Sequence, residues 1–431
     1  MLKMLDDYKE NEIMNKKRMK ILAASLAFCM TMGIGAYEMP TANASSGYEI
    51  NKQTFPDESV YYTAVGADYN EDGILSPKEA EGVEDLEIGA KIQDLSKYLK
   101  IFSNVQTLYI TAGKNQRITI NSTNVKEIWI TGDHLVTLEG VAPEKIDVEI
   151  NKDSGKIDFS NVEGYQNVTE FSVRAKHASK IVTPNTKNLV KVGLINCNLD
   201  TIDTSVFKSA MELNLDNNKL KELNLTKNPK LTSLSCYDNK LTSLNISANM
   251  KLKDFGVTGN KLKDLDFSNN NDVERINAGR NKLESIKSGK KDKLKELVLD
   301  NNKFSSLDLS KYPKLNSLAI NNNAIKKLSV AKGIQFSYLS LDGNVGKLLK
   351  NSSLSKKSYL DISLKHSTKN CDLQKTLPLL KGYTFTADNK NITKQGVVKT
   401  KNMKKGSYMY CYASKGKKKQ KKNVEISISI Y

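Results

Sequence analysis

Leu213-Asn214-Leu215-Asp216-Asn217-Asn218-Lys219-Leu220-Lys221-Glu222-Leu223-Asn224-Leu225 is the stretch that decides the fold. Leu213 and Leu215 alternate as a short strand with one buried face requires. Asn218 follows at the corner, and Leu220, Leu223 and Leu225 supply a second apolar set. The frame returns every 21 residues: Asn218, Asn239, Asn260, Asn281, Asn302, Asn323 and Asn344 recur without a slip, and Cys197 extends the register one step earlier. In Phe255-x-Val257-x-x-Asn260-x-Leu262 and Leu318-x-Ile320-x-x-Asn323-x-Ile325 the apolar residues vary while the Asn is kept. A unit this short cannot bury its own core, so units must stack. The Asn amide carries both donors and an acceptor, which suits it to backbone groups that the corner would leave buried and unpaired. These asparagines are therefore read as structural and assigned no ligand.

The frame L-x-x-L-x-L-x-x-N/C-x-L is the leucine-rich-repeat signature. Over about 192–344 the chain resembles the 21-residue repeats of bacterial surface proteins and is similar in class to the internalins. The resemblance implies an α/β-type repeat solenoid with a parallel β-sheet on one face, and binding through that strand face. Weaker units precede it: Leu108-x-Ile110, Ile128-x-Ile130, Val148-x-Ile150 and Phe171-x-Val173, with Gly113, Asp133, Asp153 and Lys176 at the Asn position. Lys176 cannot reproduce an Asn, so the ladder is expected to be interrupted there. A count of eleven coils at about 4.8 Å per strand gives a stack roughly 50 Å long. Cys197 and Cys236 read as buried core thiols.

The organisation expected is a leader over 1–44, a cap over 45–100, degenerate repeats over 101–190, regular repeats over 191–370 and a basic β-rich domain over 371–431. Lys16, Lys17, Arg18 and Lys20, the apolar Ile21–Tyr37 and Ala42-Asn43-Ala44 read as a signal peptide cleaved after Ala44, with Met14 an alternative start. Leu360-x-Ile362 marks a fading last coil. Period-two patterning in Tyr408–Tyr412 and Val424–Tyr431 suggests a small C-terminal antiparallel β domain.

In the cap, Asp68-Tyr69-Asn70-Glu71-Asp72-Gly73-Ile74-Leu75-Ser76-Pro77-Lys78-Glu79 matches the twelve-residue EF-hand loop and resembles an EF-hand or dockerin-like calcium segment. Asp68, Asn70 and Asp72 offer oxygens from alternate residues and Gly73 allows the sharp turn. Ile74 supplies a carbonyl, Ser76 the water-mediated position and Glu79 a closing carboxylate. Ca2+ is thus the cofactor expected, in a helical EF-hand-like N-terminal cap. Ser76-Pro77-Lys78-Glu79 also reads as a capping box.

Catalysis is not expected. His134, His177 and His366 are isolated in sequence, and no Gly-rich phosphate loop, nucleophile elbow or C-x-x-C pair occurs. Exposed positions of the strand face include Glu212, Asp216, Tyr237, Asp254, Arg275, Glu296, Asp300, Tyr338 and Asp342, an acidic surface suited to a cationic partner. Lys219, Lys240, Lys261, Lys282 and Lys303 form a column just past the ladder. Net charge is +18, of which residues 350–431, with 19 Lys against 4 acids, carry +15. Lys404, Lys405, Lys415, Lys417, Lys418, Lys419, Lys421 and Lys422 form its densest part, a candidate polyanion site. The function expected is a secreted or cell-surface binding protein of a Gram-positive bacterium, recognising an extracellular protein or glycan, with calcium stabilising the cap. The alternative is a cell-wall protein that holds anionic wall polymers through its basic end, with the repeats as spacer. Nucleic acid is not an expected partner, and the mature chain has no expected membrane span.

Overall fold

The computed structural model describes residues 47–431 apart from 114–116, 134–136, 141–142, 153–155, 160–167, 179, 184–186, 343–344, 350–351, 366–369, 388–389, 401–402 and 417–421. The leader, Asp153, His134, His366, Asn344, Lys417, Lys418, Lys419 and Lys421 lie outside the described residues.

The repeat strands form one parallel ribbon. Glu212–Asn214, Ser233–Ser235, Asp254–Gly256, Arg275–Asn277, Glu296–Val298 and Ser317–Ala319 pair in order, each residue opposite the one 21 positions on. Leu213, Leu234, Phe255, Ile276, Leu297 and Leu318 consequently stack in one buried row, because side chains alternate across a strand. Upstream the ribbon continues through Thr107–Ala112, Glu127–Gly132, Lys145–Ile150, Glu170–Arg174 and Lys191–Ile195. Downstream it runs through Gln335–Asp342 into Ser353–Leu364, where Leu360 and Ile362 sit opposite Leu339 and Leu341.

Two expectations about the early coils need correction. Twelve strands span Thr107–Ala112 to Gln335–Asp342, not eleven, and Asp85–Ile88, Ser353–Leu364 and Lys422–Ile430 extend the parallel run further. In the third early coil Ile146 and Val148, not Val148 and Ile150, stand opposite Ile128 and Ile130. Asn151 therefore takes the corner position that the sequence pattern gave to Asp153. Three alternating apolar residues, Ile146, Val148 and Ile150, fit either register, and only the neighbouring strands decide.

The α/β label also changes. The α-helices lie toward the two ends of the described chain, as Glu58–Ala67, Pro77–Glu81, Ser96–Ile101 and the short Leu373–Thr376, and within the array only a single 3₁₀ turn, Thr204–Val206, is described before Gln335–Asp342. Behind the ribbon each coil returns through turns and short parallel pairs such as Asp264–Asp266 with Ser285–Lys287 and Ser306–Leu309 with Lys327–Val330. Once a 21-residue unit has made its strand and two corners, too few residues remain for a return helix.

The C-terminal segment is not a separate sheet. Lys422–Ile430 pairs in parallel with Ser353–Leu364 on one side and antiparallel with Tyr408–Lys415 on the other. Thr384–Thr386 follows as the last strand, so the expected antiparallel pairing exists but is fused to the solenoid. Val424, Ile426, Ile428 and Ile430 are buried, and their apolar area is what joins hairpin to array.

The corners show why the period is kept. Asn239 Nδ2 donates to the carbonyls of Leu215, Cys236 and Tyr237 at 2.9, 3.3 and 3.1 Å, while its Oδ1 accepts the Leu220 amide at 3.1 Å. Asn260, Asn281, Asn302 and Asn323 repeat the arrangement. Cys197 takes half of this role: its thiol donates to the Val173 carbonyl at 3.2 Å. Burial pushes that thiol up to about 12, so it stays protonated and able to donate. Lys176 is exposed at its corner. The residue before each described rung is left-handed, with φ +57° at Asn217, +50° at Asp238, +73° at Gly259, +49° at Arg280, +55° at Asn301 and +54° at Asn322; Asn, Asp and Gly tolerate this conformation best, and Arg280 departs from that preference.

A second ladder runs behind the ribbon. Asn228, Asn249 and Asn270 are fully buried, and Asn249 Nδ2 donates to the Leu225 and Asn228 carbonyls at 3.1 and 2.8 Å. Lys291 takes the next rung, donating to the Ser268 carbonyl at 2.8 Å.

Asn260→Ala removes bonds to two carbonyls and to the Leu241 amide in a buried corner. A loss of roughly 2–4 kcal/mol is expected in chemical denaturation. Lys261→Ala next to it should change stability by less than about 0.5 kcal/mol.

Candidate functional site

The calcium-loop candidates occupy the cap between two helices. Asp57 caps Glu58–Ala67, donors at Ser59 and Val60 reaching its carboxylate at 3.1 and 3.3 Å. The chain then curls through Asp68, Asn70 and Asp72. Asp68 accepts the Asp72 and Gly73 amides at 3.3 and 3.0 Å, Asn70 accepts the Asp72 amide at 2.9 Å and Asp72 accepts the Ile74 amide at 2.8 Å. Gly73 sits at φ +76°, a conformation that side chains resist. The ladder with Tyr48–Glu49 uses the Gly73 carbonyl, through Ile50 N at 2.9 Å, rather than that of Ile74. These are all oxygen donors, the set a hard divalent cation prefers.

Glu79 is engaged differently. Its carboxylate accepts the Ser76 hydroxyl at 2.7 Å, the Ser76 amide at 2.9 Å and the Tyr69 amide at 3.1 Å, completing the expected capping box. The Ser76 hydroxyl bond, with the amides behind it, holds the carboxyl below its usual range. Among the described residues no three His, Cys, Asp or Glu side chains are gathered as a metal cluster. Calcium would thus require Glu79 to share its oxygens between ion and cap.

The strand-face candidates separate into groups. Asp254 and Arg275 pair at 2.6 Å across adjacent strands. Asp216 accepts the Ser235 hydroxyl at 2.7 Å and the Tyr237 amide at 2.6 Å. The Tyr237 ring lies over Gly256, where a Cβ would come within 2.3 Å of it, so Gly256 is what lets the ring lie across the sheet. Glu212 and Glu296 are half-buried on their strands.

Asp300, Tyr338 and Asp342 come together near the far end of the ribbon, joined by Tyr359 and Asp361. Tyr338 and Tyr359 stack at 5.8 Å with planes 5° apart. Asp300 accepts the Asn321 amide at 2.6 Å and Asp342 the Asn322 amide at 3.0 Å. Ser340 donates to Asp361 at 3.2 Å. Burial, with Asp361 and Asp342 nearby, pushes Asp300 up to about 7, against the pull of the Asn321 amide. Burial raises Asp342 as well. Tyr359 and Asp361 escaped the sequence reading, although stepping Tyr338 and Ser340 on by 21 reaches both.

Beyond them the same outward face carries Tyr408, Tyr410 and Tyr412, exposed at 69%, 66% and 60%, while Met409, Cys411 and Ala413 point inward and are buried. Tyr410 stands opposite Ser427, which stands opposite Asp361. Of the candidate lysines, Lys404, Lys405 and Lys415 are exposed. Lys415 Nζ donates to the Lys381 carbonyl at 2.9 Å and lies 5.7 Å from the Tyr383 ring centre. Lys422 opens the last parallel strand opposite Lys415.

No protein-family model matches the chain, and no curated protein matches it in sequence. Among solved structures it is similar to the functional domain of InlJ from Listeria monocytogenes, with 16% identity and a TM-score of 0.45 over 91% of this chain and 100% of that one. It is also similar to the internalin inlF of Listeria monocytogenes, with 16% identity and a TM-score of 0.41 over 77% of this chain and 95% of that one. The likeness is one of fold. No helix among the described residues is long and apolar enough to cross a membrane.

Because Asp300 holds its proton more tightly folded than unfolded, the folded state binds more protons between the two values, and stability falls as pH rises through that window. Asp300→Asn should flatten this decline. Urea denaturation from about pH 4 to pH 8 measures it; a wild-type curve as flat as the variant's would refute the assignment.

Proposed function

We propose that the chain is an exported leucine-rich-repeat binding protein. It holds an extracellular protein or glycan on its strand face, and calcium stiffens its N-terminal cap. The observation that carries the reading is the aromatic and acidic surface of the ribbon's far end, where Tyr338, Tyr359, Tyr408, Tyr410 and Tyr412 share one face with Asp300, Asp342 and Asp361. Tyrosines offer large contact area at low entropic cost, and interface anchors are drawn from such residues. The capped oxygen-lined loop supports the calcium part.

A second reading rests on the excess of +15 in residues 350–431, which suits an anionic wall polymer with the repeats as spacer. Deleting 371–431 would not separate the two, because it would strip Lys422–Ile430 from Ser353–Leu364 and bare a long strand edge. Substitution is cleaner. Panels of extracellular proteins and glycans, and purified anionic wall, are presented to the full chain. Tyr338→Ala with Tyr359→Ala should abolish capture of the ligand found, and Lys404→Gln with Lys405→Gln should leave it. The reverse result, with binding that fades as salt rises, selects the second reading.

Calorimetry in millimolar calcium should show one ion per chain with a dissociation constant of roughly 10⁻⁴–10⁻³ M, as in extracellular modules. Asp68→Ala should remove the heat. No heat in the wild type would rule out the calcium part and leave the binding face untouched.

A further inference from the structure

Acids on the strand face fall into two populations. Toward the N-terminal end several have a cation one strand away: Glu127–Lys145 at 3.2 Å, Asp147–Arg174 at 2.7 Å, Glu170–Lys191 at 2.6 Å and Asp254–Arg275 at 2.6 Å. Past Asp254 the pattern continues with Glu274–Lys295 at 2.7 Å, just ahead of the strands, and does not reach the acids of the far end. Among the described residues no cation lies within ion-pair distance of Asp300, Asp342 or Asp361. Arg275 and Arg280 of the preceding coils are held by Asp254 and Asp238.

These carboxylates are also sheltered. Asp342 is only 4% exposed; its Oδ2 takes the Asn322 amide, and its Oδ1 has no partner among the described residues. Asn321, 8% exposed, likewise leaves its Oδ1 without a donor. One carboxylate oxygen of the three acids and one amide oxygen beside them therefore lack a donor, and the stacked rings of Tyr338 and Tyr359 lie over the same strands. Leaving a buried acceptor unmade costs free energy, and gathering like charges adds to it.

The geometry points to a seat for one cationic side chain, Lys or Arg, of an extracellular protein partner, with Asp342, Asp361 and Asp300 as its counter-charges and the Tyr338 and Tyr359 rings as its wall. The assignment rests on the strand face being the recognition surface. A guanidinium or ammonium has only donors to offer, which is what unpaired acceptors lack. A cation also gains from an aromatic face. A neutral sugar hydroxyl could fill the acceptors but would leave the carboxylates repelling one another. A bare divalent ion fits less well, since the acids are not gathered as a metal cluster. Seating a cation favours ionised Asp300, which burial holds near neutrality, so binding releases a proton and tightens as pH rises. The charged groups brought to Asp300 by the following strands are Asp342 and Asp361, and both act in the same direction.

The test is calorimetry of the full chain with tetra-arginine, tetraglutamate and chitotetraose at about pH 6 and pH 8. Tetra-arginine should bind, several-fold more tightly at the higher pH, and tetraglutamate should not. Asp342→Asn and Asp361→Asn should each weaken tetra-arginine by about tenfold or more. Asp264→Asn, an exposed acid behind the ribbon, should change nothing. Tyr359→Leu, which keeps the acids, should weaken it less than either. Failure of tetra-arginine to bind, or equal binding by wild type and both Asn variants, overturns the seat. Chitotetraose binding that is lost in the double Tyr338→Ala, Tyr359→Ala variant, with no tetra-arginine binding, overturns the seat while the recognition face stands. Concentration-dependent dimerisation abolished by Asp342→Asn would assign the occupant to a second copy and overturn the foreign partner.

Discussion

Everything regular in this molecule depends on a buried amide at a corner. A coil of 21 residues must turn while its backbone is out of water, and each turn would strand carbonyls and amides with no partner. One Asn side chain meets the demand in both directions: Asn218 donates to the Leu194 carbonyl of the preceding coil and accepts that coil's Cys197 and Leu199 amides at 3.0 and 3.1 Å. Each rung therefore fastens two coils, and any insertion would pull the next Asn away from the carbonyl it must reach. Upstream, where Gly113, Asp133 and Asn151 hold the corners, the step between strands varies: Ile128 is opposite Ile146, and Ile146 is opposite Phe171. Constant spacing begins at Glu170–Arg174, just ahead of the Cys197 corner, and from Asn218 onward the amide ladder holds it.

With core and corners set by the ladder, the outward positions are left free, and their chemistry changes along the ribbon. Cross-strand ion pairs in the earlier coils are mostly of the ordinary surface kind, each contributing little, and the one buried acid among them, Asp147, is matched by Arg174. The far end breaks that pattern at a cost, since burial holds Asp300 and Asp342 above their usual range with no cation at ion-pair distance among the described residues. A sheet needing only solubility gains nothing from a carboxylate at 4% exposure. Local destabilisation of this kind, on a scaffold otherwise consistent at every level, is where a binding function is expected to reside.

The sequence made the solenoid legible because its signal is a period, and a period survives substitution of any single residue. Where the period weakens, sequence and structure part. Ile146, Val148 and Ile150 fit two registers equally well, and the choice came from strands the pattern could not see. Asn228, Asn249 and Asn270 carry the same 21-residue spacing and were readable, but only to a search for a second Asn column. Residues Asp300, Tyr338 and Asp342 were nameable one by one. Their burial and lack of cations were not, because those depend on which strands follow. The join of the C-terminal hairpin to the ribbon was the least legible of all: alternation in Tyr408–Tyr412 and Val424–Tyr431 declares strands and says nothing about their neighbours.

That join changes how the basic end is understood. A parallel stack has to stop somewhere, and an open strand edge invites another chain. Here Lys422–Ile430 covers Ser353–Leu364, and the hairpin then ends on the short Thr384–Thr386. Lys404 and Lys405, exposed just ahead of the hairpin, put charge of the kind that disfavours edge-to-edge pairing. The same hairpin places Ser427 beside Asp361 and Tyr410 beyond it, so the outward surface of the cap continues the surface around the acids. The end cap and the proposed recognition face are thus built from the same two strands: their inward residues, Val424, Ile426, Met409 and Cys411, close the core. Their outward residues extend the face on which a partner would lie.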